Sequence, residues 1–498
     1  MLKKFLKKIS AVGLFSAVAF ANLPAQAVAL SLAQSIEMAL ENDESIEAAE
    51  FSRENAKWSL SSARRQTGPT FSWRSQAEKI GGRDYHDRNE MHKRYGNKGS
   101  YVFDEYTGRY SFMSGSTAYH NTFSNSFSVS IPIYSGGRLE NSIKSRKFSL
   151  NAADLSLENT KQTVKFETIQ AYYNVLQQEN NVNISKSAVN MANEQLNLIQ
   201  IQFEEGATAY ADVLQMEVQM ANYKNSLTSA QCNLDVAKER LLSIIGMPSD
   251  TEIELTDDFF FVPYPQSVDA CLNFALDNRP DLAEALYSVK RAEANVSAEK
   301  SGMRPSITGT ASKNIVANGA FKDERSSTWE AGISLSWSIF DNQVTSANVH
   351  AAQAEVDRLK KNAEAVSKRV KLEVRNAYTQ MKAAETKMNS AKVAVSQAEE
   401  SYKIAQIRYE EGVDILLSVT DAQDKLTQAR TNYFNALYEY NLYKSQLEKA
   451  MGLPVGLYVP IYVQAAQDGK SAQKALEAAE FSRENAIEEA ARPFEERS

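Results

Sequence analysis

Helix breakers and surplus positive charge are both scarce in this chain. Its 498 residues include 20 glycines and 11 prolines, and so few breakers favour long uninterrupted helices. The formal net charge is −7, so the chain lacks the basic surplus that a nucleic-acid partner requires. Because 43% of the residues are hydrophobic and 23% are charged, the composition is not that of a disordered chain.

Cysteine and reactive constellations are scarce as well. The two cysteines, Cys232 and Cys271, lie in separate predicted helices, and an exported chain could either bridge them or keep two buried thiols. The sequence pairs no nucleophile with a base and contains no phosphate loop or metal-ligand cluster. It therefore predicts no enzyme, no cofactor and no metal site.

Long apolar runs are missing beyond the N-terminus. No later run reaches the roughly 20 residues that a spanning helix needs. The first 27 residues combine a lysine-rich start, an apolar stretch over 9–21 and a small-residue site, Ala25-Gln26-Ala27. This order is typical of a secretory signal peptide, and the apolar stretch is too short for the alternative, a membrane anchor. We predict a signal peptide at 1–27 and an exported mature protein.

What the chain does contain is an internal repeat. Residues 200–206 resemble 406–412, and the Gly-x-Pro stop at 246–248 matches the one at 452–454, both at an offset of 206. The repeat divides the chain into four predicted parts after the signal peptide. They are a first repeat at 28–248, a linker at 249–267, a second repeat at 268–454 and a C-terminal tail at 455–498.

Both repeats have the same predicted order of elements. A first helix (32–66 or 268–302) precedes two strands, a very long helix that runs to a glycine, and another helix that runs to the Gly-x-Pro stop. Apolar residues recur every seven positions in the long helices, which predicts coiled-coil packing. The heptad positions are Val175, Val182, Val189, Leu196 and Phe203 in the first repeat, and Met381, Met388, Val395, Tyr402 and Tyr409 in the second.

The predicted strands alternate apolar residues with small or polar ones. Such segments are typical of an outer-membrane barrel strand, although one face of a soluble sandwich gives the same alternation. Four strands cannot close a barrel around a lumen, so we expect three chains to share twelve strands above a ring of twelve helices. The predicted lipid-facing anchors are Phe71, Trp73, Phe123, Phe127, Trp329 and Trp337. A long insertion at 74–121 separates the first two strands and should be a surface-exposed loop.

These features together resemble the TolC-like outer-membrane efflux and secretion channels. The resemblance covers about residues 30–454 and is carried by the order of elements in both repeats, by the strand-to-helix turn at 132–137, and by Gly206 and Gly412 with their flanks. It implies a mainly α fold, with long antiparallel coiled-coil helices forming an α-helical barrel. The four strands of each chain would contribute to a trimeric outer-membrane β-barrel.

The resemblance also implies a location, partners and a mode of action. The homotrimer would lie in the cell outer membrane and extend into the periplasm. Its partners would be a periplasmic adaptor (membrane fusion) protein and an inner-membrane pump or ABC exporter, which supplies the energy. The channel itself would be a passive conduit for a tripartite efflux pump or a type I secretion system.

The family's functional positions can be carried over to this sequence. The periplasmic gate would involve Asp212, Tyr409, Asp414, Ser418 and Asp421, and adaptor docking would involve Glu205, Gly206, Glu411 and Gly412. Ser418 stands where the family often has an acidic residue, so one acidic ring is lost. Asp414 stands where some members have a basic residue, which puts the closing salt-link network in doubt. A simpler interpretation also applies to three kinds of position: a solvated helix charge for Asp421, seam packing for Tyr409 and a turn requirement for the glycines.

Two alternatives stay open from sequence alone. An exported coiled-coil scaffold or adhesin without channel activity would explain the heptads and the export, but not paired strands at a fixed repeat offset. Within the channel interpretation, the sequence does not separate small-molecule efflux from protein secretion. Residues 477–486 of the tail repeat 47–56 residue for residue, and nothing in the sequence explains this.

Overall fold

The computed structural model describes residues 28–95, 100–113, 122–317 and 324–455. The predicted signal peptide, most of the C-terminal tail and parts of the inserted segment lie outside these residues. The chain divides into two compact units. One is mainly helical and comprises residues up to 52, 153–284 and from 363 onward; the other comprises 53–152 and 285–362 and contains the main sheet.

The described elements follow one another in an order that repeats. They are β1 (Val28–Leu30), α1 (Leu32–Asn42), α2 (Glu44–Arg65), β2 (Thr70–Glu78), α3 (Arg83–Tyr95), β3 (Ser100–Asp104), β4 (Arg109–Met113), β5 (Thr122–Tyr134), α4 (Arg138–Glu204), α5 (Tyr210–Ile245), β6 (Ile253–Leu255), α6 (Val268–Asn278), α7 (Pro280–Glu299), β7 (Ser306–Ala317), β8 (Glu324–Ser336), α8 (Val344–Glu410) and α9 (Leu416–Met451).

The long helices of the two repeats match in length. Helices α4 and α8 have 67 residues each, and α5 and α9 have 36 each. Helices α5 and α9 both end at a glycine in the left-handed conformation, Gly246 and Gly452. This C-cap suits glycine because a side chain at positive φ would meet the backbone. The same stop signal thus ends the same helix in both repeats.

The buried seam of α4 departs from the heptad pattern. Val175 and Val182 are buried as expected, but Phe203 is 42% exposed. Beyond residue 184 the buried positions move to a neighbouring line: Ala188, Ala192, Gln195 and Ile199. A straight α-helix drifts by about 20° per heptad, which is enough to move the buried stripe to neighbouring residues. In α8 the expected Met381 and Met388 are buried, and Tyr402 and Tyr409 are half-buried.

The first helix of each repeat is broken, so the prediction of one continuous helix at 32–66 and at 268–302 was wrong, and in the second repeat Pro280 was the signal that it missed. The breaks fall at Asp43, between α1 and α2, and at Arg279, between α6 and α7. The Asp43 carboxylate accepts a hydrogen bond from the Ser45 N–H at 2.8 Å and so caps α2. In the second repeat, Pro280 takes the first position of α7, where its missing N–H costs nothing.

The predicted linker is partly a strand. Its β6 pairs in parallel with β1, next to the predicted start of the mature chain. The Tyr172 hydroxyl donates to the Leu30 carbonyl at 3.1 Å and to the Asp257 carboxylate at 2.9 Å, which joins α4 to both segments. A three-residue strand paired over a long sequence separation leaves no local signal in the sequence.

The main sheet has four antiparallel strands in the order β2-β5-β7-β8. Strand β2 extends to Glu78, so the insertion begins later than the predicted residue 74. The insertion is also more ordered than the expected loop, because it contains α3 and the hairpin β3–β4. Residues 96–99 and 114–121 of the insertion lie outside the described residues.

The cysteines follow neither expectation fully. Both are free, Cys271 is buried and Cys232 is exposed, so they are neither bridged nor both buried. Among the described residues, no group of three or more metal-ligating side chains could hold a metal ion. None of the described helices is long and apolar enough to cross a bilayer.

Candidate functional site

The two turns between long helices share one backbone geometry. Gly206 follows α4 at φ +78° and Gly412 follows α8 at φ +70°. In the first turn the Ala207 N–H donates to the Gln202 carbonyl at 2.7 Å, and in the second the Val413 N–H donates to the Arg408 carbonyl at 2.9 Å. With the matching bonds from each glycine N–H, this is the Schellman motif. Nothing lies within 4 Å of a Cβ placed on either glycine, so conformation requires the glycine and space does not.

The docking residues predicted at these turns are all exposed. Glu205, Gly206, Glu411 and Gly412 face solvent in the single chain. The turns also carry exposed apolar side chains, including Tyr210 beside the first turn and Val413 and Ile415 in the second. Docking of an adaptor at these exposed turns remains a prediction.

The structure gives Asp414 a local partner. Its carboxylate accepts from the Ser418 hydroxyl at 2.7 Å and from the Ile415 N–H at 2.9 Å. These hydrogen bonds, with a contribution from Arg408, whose guanidinium is 3.6 Å away, lower the pKa of Asp414. Asp414 and Ser418 thus belong to one small network within their own turn.

The other gate candidates divide into two groups. The Asp212 carboxylate accepts from the Thr208 hydroxyl at 2.7 Å. Tyr409 is half-buried against both repeats, and burial, with a smaller contribution from the charge of Asp212, raises its pKa. The structure therefore brings Asp212 and Tyr409 together across the repeats. Asp421 lies apart from them, exposed and paired with Lys425 on its own helix at 2.6 Å.

A second link between the repeats was missed in the sequence. The buried Tyr223 of α5 donates its hydroxyl to the Asp424 carboxylate of α9 at 2.6 Å, and Gln219 donates to the same carboxylate at 3.3 Å. Beside it the buried Gln423 donates its amide to the Ala188 carbonyl of α4 at 2.9 Å. Gln423 is buried in α9, and a buried amide requires partners, but no pattern in the sequence marked this position as buried.

The sheet has one apolar face and one polar face. The cross-strand register places Trp73, Phe127, Lys313 and Trp329 in a single row, and Phe71 lies two residues from Trp73 on the same face. The rings of Trp73 and Phe127 stack with centroids 6.3 Å apart. The opposite face is rich in serine and threonine: Ser72, Ser128, Thr310, Ser312 and Ser334.

The remaining anchors lie toward the ends of this sheet. Phe123 pairs with Ala77 and Ala317 beyond the aromatic row. Trp337 follows the last residue of β8, and its indole N–H donates to the Met303 carbonyl at 3.2 Å. Trp329 is 76% and Trp337 is 54% exposed. Their separation of eight residues corresponds to roughly 26 Å of strand.

The architecture of long paired helices and an unclosed sheet with one apolar face is that of a channel-forming outer-membrane protein. The family model described as "Outer membrane efflux protein" matches residues 35–247 and 271–453, and the chain belongs to this family. Members of the family are passive outer-membrane conduits and not enzymes. The predicted family, the fold class and the outer-membrane location are confirmed.

Individual relatives agree with the family model. The chain is 24% identical to Outer membrane protein TolC of Escherichia coli over 60% of its own length and 63% of that protein's length. It is 24% identical to the cobalt-zinc-cadmium resistance protein CzcC of Cupriavidus metallidurans, over 65% of this chain and 76% of that one. The fold is similar to the crystal structure of VceC from Vibrio cholerae, with a TM-score of 0.68 and 17% identity over 84% and 96% of the two chains.

Proposed function

We propose that the chain is one subunit of a homotrimeric exit duct through the outer membrane. The observation that carries the proposal is the four-stranded sheet with one aromatic and apolar face. Open strand edges are not tolerated in lipid, so a sheet of four strands needs other chains to complete it. Three copies supply twelve strands.

The aromatic residues support a membrane position for this sheet. An outer-membrane barrel has an apolar band about 25 Å tall, flanked by aromatic girdles. The row of Trp73, Phe127 and Trp329 marks one boundary, with Lys313 able to reach the headgroups from the same row. Trp337 marks the other boundary. The serine and threonine face then lines the lumen.

The partners follow from the proposed duct. A periplasmic adaptor would dock at the turns around Gly206 and Gly412, and an inner-membrane pump or ABC exporter would supply the energy. One relative, CzcC, is named as a metal-resistance protein. In the proposed assembly the pump selects the cargo, so the name of that relative does not identify the cargo of this chain. A pump of the resistance type encoded beside this chain would favour efflux, and an ABC exporter would favour secretion.

The assembly state tests the proposal most simply. The mature full-length protein, extracted from outer membranes with detergent, should have the native mass of three chains and should enter lipid vesicles. A mature protein that is monomeric and can be recovered from the cells without detergent would instead support the alternative of a coiled-coil scaffold or adhesin.

A further inference from the structure

A polar cavity lies within the helical unit. Its volume is about 590 Å³, and its walls come from α4, the start of α7, α8 and the last turn of α9. Six of its lining residues are charged or carry a side-chain amide near these charges: Gln162, Arg279, Asp281, Arg369, Glu373 and Lys449. The cavity is separate from the turns and from the sheet described above.

The two carboxylates of the cavity are already paired with one arginine. Arg279 is largely buried and forms two hydrogen bonds to Asp281, at 2.8 and 2.9 Å. Its third contact is an ion pair with Glu373 at 2.5 Å. Its guanidinium also donates to the Ala450 carbonyl at 3.1 Å, at the end of α9. This arrangement satisfies Arg279, and it occupies the acidic groups of the cavity.

Two other cations of the cavity are less well satisfied. Arg369 is 3.6 Å from Asp281 and 3.8 Å from Glu373, which is beyond hydrogen-bonding distance. The Lys449 ammonium lies over the Phe166 ring, 5.1 Å from its centroid, and forms no ion pair with any described residue. The lining thus contains three cationic groups and two carboxylates, and the charge of Glu167, outside the lining, also acts on Lys449.

A buried amide adds an unused donor. Gln162 is 5% exposed, and its side-chain nitrogen has no hydrogen-bond partner in the described part of the chain. A buried donor without a partner destabilises the folded state, so an acceptor at this point would be favourable. The unpartnered amide of Gln162 and the cationic groups of Arg369 and Lys449 belong to three different helices around one cavity.

We propose that this cavity binds a small anion that carries a carboxylate or phosphate group. Arginine and lysine together form charge-assisted hydrogen bonds to such groups, and the Gln162 amide would supply a neutral donor. The bound anion would join α4 of the first repeat to α8 and α9 of the second. This proposal does not depend on channel activity, and it holds whether or not the trimer conducts.

Calorimetric titration of the full-length protein in a non-ionic detergent tests the site. Phosphate and citrate would be titrated separately at constant ionic strength in a chloride buffer. We expect saturable binding of one anion per chain for at least one of them. A third titration with a short-chain phosphatidate identifies the source, because binding of phosphatidate alone would assign the same chemistry to a lipid headgroup.

Matched variants locate the binding. Lys449→Met and Gln162→Leu should each weaken binding at least tenfold. Lys387→Met is the control, because Lys387 is paired with Glu439 at 3.0 Å outside this cavity and should bind like wild type. Gln162→Leu removes an unpaired donor, so it should leave the thermal unfolding midpoint without anion unchanged or higher, while abolishing the increase that the anion causes.

Three results would overturn the proposal. They are the absence of saturable binding for all three anions, equal weakening in the Lys387→Met control, and unchanged affinity in both cavity variants. If Lys449→Met does not fold, the exposed Arg369→Gln takes its place with the same expectation.

Discussion

The two turns between long helices have the same backbone and different chemistry. Each is a Schellman motif closed by a glycine at positive φ. In the first turn the Thr208 hydroxyl donates to the Asp212 carboxylate, which forms no ion pair with a described residue. The second contains a charged network of Arg408, Asp414 and Ser418. The repeat thus retains what the backbone needs, and the charges differ between the two copies.

The breaks in the first helix of the two repeats also have the same structural role and different chemistry. In the first repeat the Asn42 amide donates to the Ile245 carbonyl at 3.0 Å and so satisfies the end of α5. In the second, Arg279 does the same for α9 and adds ion pairs to Asp281 and Glu373. Both copies solve the same problem, an unsatisfied helix C-terminus, but only the second introduces charge among these contacts. Pseudo-equivalent positions should therefore respond differently to the same change.

The largest expected effect on stability is the loss caused by alanine at Gly452, compared with the loss caused by alanine at Gly412. Gly452→Ala should destabilise the protein by about 3 kcal/mol, because its Cβ would combine a positive φ with a 2.9 Å approach to the Arg279 Cα. Gly412→Ala carries the conformational cost alone, about 1–2 kcal/mol. Thermal unfolding midpoints of both variants measure the difference. Equal losses of stability in the two variants would mean that the Arg279 backbone moves away from the new Cβ at little cost in free energy.

The next effect concerns the link between the repeats. Tyr223→Phe removes the 2.6 Å hydrogen bond to Asp424 and should cost about 1 kcal/mol. Asp424→Ala removes the acceptor itself and should cost a similar amount, and the double variant should cost less than the sum of the two. Chemical denaturation of wild type, the two single variants and the double variant measures their free energies of unfolding. The coupling energy between Tyr223 and Asp424 follows from these four values. Strict additivity would contradict a direct interaction between Tyr223 and Asp424.

The charged helix break should make stability depend on pH. Burial tends to raise the pKa of Asp281, but hydrogen bonds and the charge of Arg279 outweigh it, and the pKa lies below its ordinary value of 3.8. The unfolded chain therefore binds this proton more readily. The stabilisation is present above the ordinary pKa and is lost as the pH falls through the lowered one. Asp281→Asn should flatten the decline of the unfolding midpoint in acid, whereas a decline as steep as in wild type would contradict this assignment.

The smallest effect on stability is expected at Asp421. Its pair with Lys425 is exposed on both sides, and such pairs contribute about 0.3–0.5 kcal/mol. Asp421→Asn should therefore leave the unfolding midpoint within experimental error of wild type. Asp414→Ala, which removes the acceptor of the hydrogen bonds from the Ser418 hydroxyl and the Ile415 N–H, should lower it measurably. If the Asp421 variant had the lower unfolding midpoint, Asp421 would have a structural role that its contacts within the single chain do not explain.

Local signals in the sequence predicted much of this molecule. The glycines that end α4, α5, α8 and α9 have the backbone conformation that their patterns indicated. The alternating residues of β5 and β8 form strands, and the family assignment is confirmed. Each of these depends on residues close together in sequence, where periodicity and turn chemistry are informative.

Contacts between distant residues were not predictable in this way. The β1–β6 pair joins positions more than two hundred residues apart, and so does the Tyr223–Asp424 link. The buried seam of α4 moved off its heptad because a straight α-helix drifts against a seven-residue repeat, which the heptad positions alone do not show. The roles of Asp212, Tyr409 and Asp421 at a gate require three chains and remain predictions.

The conductance of single channels tests the central claim most directly. Purified wild-type protein and Asp421→Asn would be inserted into planar lipid bilayers, with Lys387→Met as a charge-change control on another part of the helices. We predict discrete conductance steps for all three proteins and reduced cation selectivity for Asp421→Asn alone. A correctly folded trimer that inserts into the bilayer, with cation selectivity unchanged by Asp421→Asn, would contradict the gate assignment. A protein that never enters the bilayer would contradict the channel itself.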